Sequence, residues 1–195
     1  KTTNSGVNWT LQNDQIEYNT HNDMSFVNES NGYYRSDDEL YKTIDGGVSW
    51  TLQYTGLDHS EYSNLIFVDD NTGFYKFESL LYKTTDSGVN WILQNQDLDY
   101  GNEYNLSFIS DMVGFQRVEE EILKTIDGGV SWIVQYQNFN YSEYSNLIFV
   151  DEEVGFYRVD NNLYKTTNSG VNWTLQTDQI EYNTHNDMSF VNESN

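Results

Sequence analysis

Residues 83–91 read KTTDSGVNW, and the chain returns to this string at a fixed interval. It stands as KTTNSGVNW at 1–9, KTIDGGVSW at 42–50 and again at 124–132, and KTTNSGVNW once more at 165–173. The five tryptophans, Trp9, Trp50, Trp91, Trp132 and Trp173, are therefore 41 residues apart. Two further blocks keep the same register. One runs MSFV from Met24, LIFV from Leu65, LSFI from Leu106, LIFV from Leu147 and MSFV from Met188. The other runs GYYR from Gly32, GFYK from Gly73, GFQR from Gly114 and GFYR from Gly155. Strict periodicity of this length marks a repeat architecture, in which each unit buries its apolar face against its neighbours.

Within one unit the pattern is that of short strands. Residues 64–68 form an apolar run with Phe and β-branched side chains, which reads as a buried strand. Asp69–Thr72 is a turn cluster ahead of Gly73, and a second strand follows over 74–77. Glu78 and Ser79 turn the chain into a third strand at 80–85, and Asp86-Ser87-Gly88 turns it into a fourth at 90–94. Four strands of about five residues in a period near 40 match one propeller blade. No stretch sustains the 3.6-residue period of a helix. The turns rest on Gly, Asn and Asp alone, because the chain has no proline.

The third-to-fourth strand turn has the form Thr-x-Asp-x-Gly-x-x-Trp. It places Asp45, Gly47 and Trp50, then Asp86, Gly88 and Trp91, then Asp127, Gly129 and Trp132 at matching positions. Asn4 and Asn168 take the Asp position in the turns of Trp9 and of Gly170 and Trp173. An Asx side chain accepts backbone N–H bonds inside its own turn, and the glycine is free to take positive φ. The tryptophan ring is expected to pack beneath the turn, between neighbouring blades. This motif resembles the Asp-box, or BNR repeat, of sialidase-type and sortilin-like propellers. The wording YKTTDSGVNW at 82–91 is similar to repeats of photosystem II assembly factor-like (Ycf48-like) proteins and of bacterial secreted and surface proteins. The resemblance implies an all-β propeller and an extracellular or cell-envelope setting. It also implies that the motif residues are structural.

The expectation is a single domain over 1–195 with repeat strings at 1–12, 42–53, 83–94, 124–135 and 165–176. Its four-stranded, 41-residue blades would number five, the last one incomplete or shared between the chain ends. Residues 165–195 repeat residues 1–31 with one change, Thr177 for Asn13. Such near-identity fits recent amplification, and with no initiator methionine it also fits an excised or engineered stretch of a longer array. In a blade shared by the ends, the second strand and most of the third would be lacking. The open edge would then invite self-association.

Composition narrows the functions. With 31 acidic against 9 basic residues the net charge is −22, which opposes nucleic-acid binding, since a binder must place cations along phosphates. No apolar run approaches the roughly 20 residues that span a bilayer, so no membrane insertion is expected. The chain has no cysteine, which removes disulfides, thiol catalysis and Cys-ligated metals.

Chemistry is sparse. A sialidase-like site needs an arginine cluster and a tyrosine–glutamate pair, in roles that differ from blade to blade. The three arginines, Arg35, Arg117 and Arg158, instead hold one repeat position that Lys76 completes. They are expected to pair with carboxylates or, as the alternative, to ring an anionic ligand. His21 and His185 are the same position in the duplicated ends, and His59 aligns with Tyr18, Tyr100, Tyr141 and Tyr182. No metal-ligand spacing or cofactor motif is present, so neither metal nor cofactor is expected.

The segments joining one unit to the next, 12–23, 53–63, 94–105 and 135–146, vary most between units and are rich in Tyr, Asn, Asp and Glu. Rigid amphipathic Tyr with hydrogen-bonding Asn suits protein or glycan recognition. Tyr18, His59, Tyr100, Tyr141 and Tyr182 are the binding candidates. The expected function is a non-catalytic scaffold for protein or glycan partners. The alternatives are a sialidase-like glycan-processing enzyme, or an amplified or engineered propeller with no ligand.

Overall fold

A computed structural model of the chain describes residues 1–3, 7–12, 23–58, 63–98, 106–138 and 145–177. The described strands form four antiparallel four-stranded sheets, the blades of an all-β propeller. The first blade contains β1 (Asp23–Phe26), β2 (Gly32–Ser36), β3 (Glu39–Thr43) and β4 (Thr51–Thr55). The second contains β5 (Asn64–Phe67), β6 (Gly73–Phe77), β7 (Leu80–Thr84) and β8 (Ile92–Asn95). The third contains β9 (Leu106–Phe108), β10 (Gly114–Val118), β11 (Glu121–Thr125) and β12 (Ile133–Tyr136). The fourth contains β13 (Ser145–Phe149), β14 (Val154–Val159), β15 (Asn162–Thr167) and β16 (Thr174–Thr177). Strands pair in chain order within each sheet.

The backbone divides into two compact units, Lys1–Glu78 with Tyr82–Leu93, and Ser79–Leu81 with Gln94–Asn195. In the first unit the core joins Tyr33 and Leu40 of one blade to Leu65, Phe67 and Tyr75 of the next, with Leu57 from the connection. In the second, Phe115 and Ile122 meet Leu147, Phe149, Tyr157 and Val159 in the same arrangement. Each such side chain contributes about 1.5–3 kcal/mol on burial.

The second strand of each blade carries most of this packing. Gly32–Arg35, Gly73–Lys76 and Gly114–Arg117 are buried throughout, so they show none of the polar alternation of a half-solvated strand. Fourth strands lie at the outer edge and stay largely exposed, as in Thr51–Thr55. The third-to-fourth strand ladder is interrupted by a register shift at Leu40/Tyr41, and by its repeats at Ile122/Leu123 and Leu163/Tyr164. The expected fourth strand at 90–94 begins at Ile92 instead, because Asn90 is held in the turn by Asp86.

Among the described residues there are four blades, where five, the last incomplete or shared between the ends, were expected. The string at 1–9 is not part of a described sheet. Lys1 and Thr10 exchange backbone bonds, Thr10 N–H to the Lys1 carbonyl at 2.9 Å and the Lys1 amino group to the Thr10 carbonyl at 2.9 Å. This is the pairing that Lys42 makes with Thr51. Among the described residues of this string that is the one paired position, and Trp9 is 72% exposed. The block at Met188 lies outside the described residues.

Candidate functional site

The repeated turn is the most regular polar arrangement in the chain. In the second blade Thr84 Oγ1 donates to Asp86 Oδ1 at 2.9 Å and accepts the Gly88 N–H at 3.0 Å. Asp86 in turn accepts the Asn90 backbone N–H at 2.9 Å and the Asn90 side-chain amide at 2.7 Å. Thr43, Asp45 and Ser49 repeat this, as do Thr125, Asp127 and Ser131. In the fourth blade Asn168 Oδ1 takes the carboxylate's place, accepting from Thr166 Oγ1 and the Asn172 N–H. The hydrogen bonds from Ser49 and Thr43 hold the Asp45 carboxyl down at about 2. Asp86 and Asp127 are lowered for the same reason, by Asn90 and by Ser131 respectively. Each carboxylate is thus spent on closing its own turn.

Gly88 sits at φ +83°, and a Cβ there would lie 2.4 Å from Leu40 Cδ2 of the preceding blade. The residue before it, Ser87, is also left-handed at φ 65°, as is Ser169 at 58°. Sequence reading assigned positive φ to the glycine alone. The serines are anchored by their hydroxyls, Ser87 to the Asp70 carbonyl at 2.8 Å and Ser169 to the Glu152 carbonyl at 2.6 Å. The tryptophan closes the motif. Trp91 Nε1 donates to the Gly88 carbonyl, Trp132 to Gly129 and Trp173 to Gly170. Its ring stands edge-on to its own blade's Phe67 and Tyr75.

The repeated cations also serve the fold. Arg35 is 1% exposed and pairs with Asp23 at 2.9 Å, its partner across the β1–β2 ladder. It donates further to the Asp37 carbonyl at 2.8 Å and to Ser63 Oγ at 2.6 Å. Arg117 donates to the Glu119 carbonyl and Arg158 to the Asp160 carbonyl. Asp37, Glu119 and Asp160 are the left-handed residues of the β2–β3, β10–β11 and β14–β15 hairpins. The arginines therefore brace the hairpin turn through its carbonyl. Among the described residues an ion pair joins Arg35 to Asp23, and across their ladders Arg158 and Lys76 face Asn146 and Asn64.

Beside Arg35, the Tyr75 hydroxyl donates to the Asp58 carbonyl, and burial pushes its ionisation up to about 12 despite the nearby guanidinium. This phenol stays protonated at neutral pH. Among the described residues no group of three His, Asp or Glu side chains is arranged to hold a metal ion.

The binding candidates Tyr18, His59, Tyr100, Tyr141 and Tyr182 lie outside the described residues, as does Asn4. The turn residues Asp45, Gly47, Asp86, Gly88, Trp91, Asp127, Gly129, Trp132, Asn168, Gly170 and Trp173 are brought into the geometry above, whereas the buried Trp50 Nε1 has no hydrogen-bond partner among the described residues.

No family model matches the chain, and no curated protein matches it in sequence. Solved structures do. A GH74 enzyme of Niastella koreensis aligns with a TM-score of 0.58 at 20% identity, over 78% of this chain and 23% of that one. A symmetrical protein from a study of de novo evolutionary emergence aligns at 0.56 and 16% identity, over 85% of this chain and 78% of that one. YCF48 bound to a D1 peptide aligns at 0.47 and 16% identity, over 84% of this chain and 87% of that one, a score too low to carry weight. The chain spans about a quarter of the length of the GH74 structure. At such identities the likeness concerns the backbone alone, and it agrees with the four sheets described here: the chain folds as a β-propeller.

Proposed function

We propose that the chain is a non-catalytic propeller of Asp-box repeats whose variable connections bind a protein or glycan partner. One observation carries the reading. Polar side chains at the recurring positions are committed to hydrogen bonds inside the fold: Asp86 in its strand turn, Thr84 beneath it and Arg35 in its hairpin turn. Chemistry that differs between blades is left to the joining segments, where Tyr, Asn and acidic residues gather. Fold does not assign function, so the backbone likeness to GH74 enzymes adds no catalytic role.

The Asp-box identity is supported by the Thr–Asp–Gly network, which the four described blades share with Asn168 as the variant, and which Trp91, Trp132 and Trp173 close. Glycan-array screening of the whole chain, followed by Tyr100→Ala and Tyr141→Ala in the best binder, tests the proposal. Saturable binding that falls at least tenfold in either variant, with no turnover of sialosides or xyloglucan, is the expected result. Turnover of either substrate would establish the enzyme reading, and an array without binders would favour a propeller with a protein partner or none.

A further inference from the structure

The outer strands carry no charge in a strongly charged chain. β4 reads TLQYT, β8 ILQN, β12 IVQY and β16 TLQT, with neither a charged residue nor a proline. Edge strands are commonly blunted by such residues, because a bare edge offers a row of amide N–H and carbonyl groups to any extended chain. β12 goes furthest in this direction. It pairs with β11 on one side and ends its sheet on the other. Residues 128–142, which contain it, are 15 in a row without Asp, Glu, Lys or Arg, the longest such run in the chain.

The side chains of this edge are apolar and open. Ile133 is 59% exposed and Val134 41%, where Thr51 and Thr174 hold the position of Ile133 in the first and fourth blades. Ile126 and Val130 are exposed too, in the turn that leads into the strand. That turn is fixed. Asp127 accepts the Ser131 N–H and hydroxyl, Trp132 Nε1 donates to the Gly129 carbonyl, and Asn95 Nδ2 reaches the Val130 carbonyl at 3.1 Å. A strand anchored before it is paired loses little freedom on pairing.

Charge selects the occupant. Beyond the far end of β12, Gln137 Nε2 donates to Glu121 Oε1 at 2.6 Å, and Glu119 and Glu120 are exposed in the hairpin that Val118 and Glu121 close. At the near end Ile133 pairs with Lys124. The edge is therefore apolar in its middle, with carboxylates gathered at one end. A second copy of the chain would bring a like charge of −22 to this edge, which opposes its approach. A strand with β-branched residues in its middle and cations at one end matches both features.

We propose that the outer edge of β12 is a strand-addition site for an extended, basic-ended segment of a protein partner, which becomes the fifth strand of the third blade. The segment runs antiparallel to β12, so that its amino-terminal lysines or arginines lie beside Glu119–Glu121. Main-chain hydrogen bonds and cover over Ile133 and Val134 give the affinity, and the carboxylates give the polarity. The site is separate from the joining segments, and its occupancy does not depend on what they bind.

The test adds a synthetic peptide of alternating valine and threonine, with a lysine pair at its amino end, to the full chain and follows amide exchange. Saturable binding is expected, with exchange slowed at 133–136 and unchanged at 51–55 and 174–177. N-methylation of the valines alone, or of the threonines alone, blocks one edge of the peptide and keeps its charge and side chains. One of these two forms should lose binding at least tenfold and the other retain it, because a single edge faces β12. Glutamates in place of the lysines should weaken binding at least tenfold. Ile133→Thr in the chain, which gives β12 the residue of the first and fourth blades, should weaken it about fivefold with the far-UV spectrum unchanged. Absence of saturable binding, equal effects of the two methylations, equal binding of the glutamate peptide, or dimers of the chain alone paired through 133–136 would each overturn the proposal.

Discussion

Tyr33 and Phe67 come from different blades and lie face to face, their planes within 5° and their centroids 3.3 Å apart. Neither ring is reachable by solvent to any extent that matters, and Leu40, Leu65 and Tyr75 enclose the pair. Truncating Phe67 therefore leaves a void between two blades rather than a dent at the surface. Phe67→Ala is expected to cost about 3–5 kcal/mol in urea denaturation. Phe26→Ala, the same change at a half-exposed copy, should cost less than about 1 kcal/mol. Equal losses would show that burial differs less between the two positions than the exposures imply.

Thr84 is 1% exposed, and its hydroxyl accepts the buried Gly88 N–H. Valine keeps the shape and removes the acceptor, so Thr84→Val should destabilise by about 1–3 kcal/mol. Asp86→Asn should be much milder, because Asn168 already closes the fourth-blade turn through its Oδ1. Thermal melts of the two variants would reverse in order if the carboxylate charge, rather than the acceptor geometry, held the turn.

The turn carboxylates also set an acid limb. Asp45 falls to about 2 in the folded chain from an unfolded value near 3.9, with Ser49 as the main cause. A lowered folded-state value means that the stabilisation is complete above the unfolded value and is lost as pH falls through the folded one. Urea midpoints should accordingly drop as pH is taken from about 4 to about 2. The triple variant Asp45→Asn, Asp86→Asn, Asp127→Asn should flatten that drop, since the amide does not titrate.

Arg35 holds a carboxylate, a hydroxyl and a carbonyl from a position almost closed to water. Arg35→Met strands all three partners and should cost about 3 kcal/mol by urea denaturation. Asp23→Asn should cost distinctly less, because Asn146 faces Arg158 at the equivalent ladder position in the fourth blade.

Much of the architecture was legible because each blade is short and its signals are local. The apolar run at Asn64–Phe67, the Gly73 start of β6 and the Asp86–Gly88 turn could each be placed from neighbouring residues. What escaped depends on residues far apart in sequence. Ser87 takes positive φ because Asp70 offers its carbonyl from 17 positions away. The partner of Arg158 is a carbonyl, which no residue type advertises. Counting tryptophans suggested five blades, whereas the described residues form four, and Trp9 is 72% exposed. For the candidate site, the turn network was visible in Thr-x-Asp-x-Gly-x-x-Trp, whereas the hydroxyl anchors of Ser87 and Ser169 were not.

The inner strands carry a further pattern. Ser25 Oγ accepts the Phe67 N–H at 2.9 Å, and Ser107 Oγ accepts the Phe149 N–H at 3.1 Å. The corresponding positions in the second and fourth blades are Ile66 and Ile148, which have no hydroxyl to offer. Adjacent blades are thus unlike, and a blade that accepts this bond is followed by one that donates it. The smallest segment that can be copied or lost without juxtaposing two blades of one kind is a pair, 82 residues long, twice the spacing of the tryptophans.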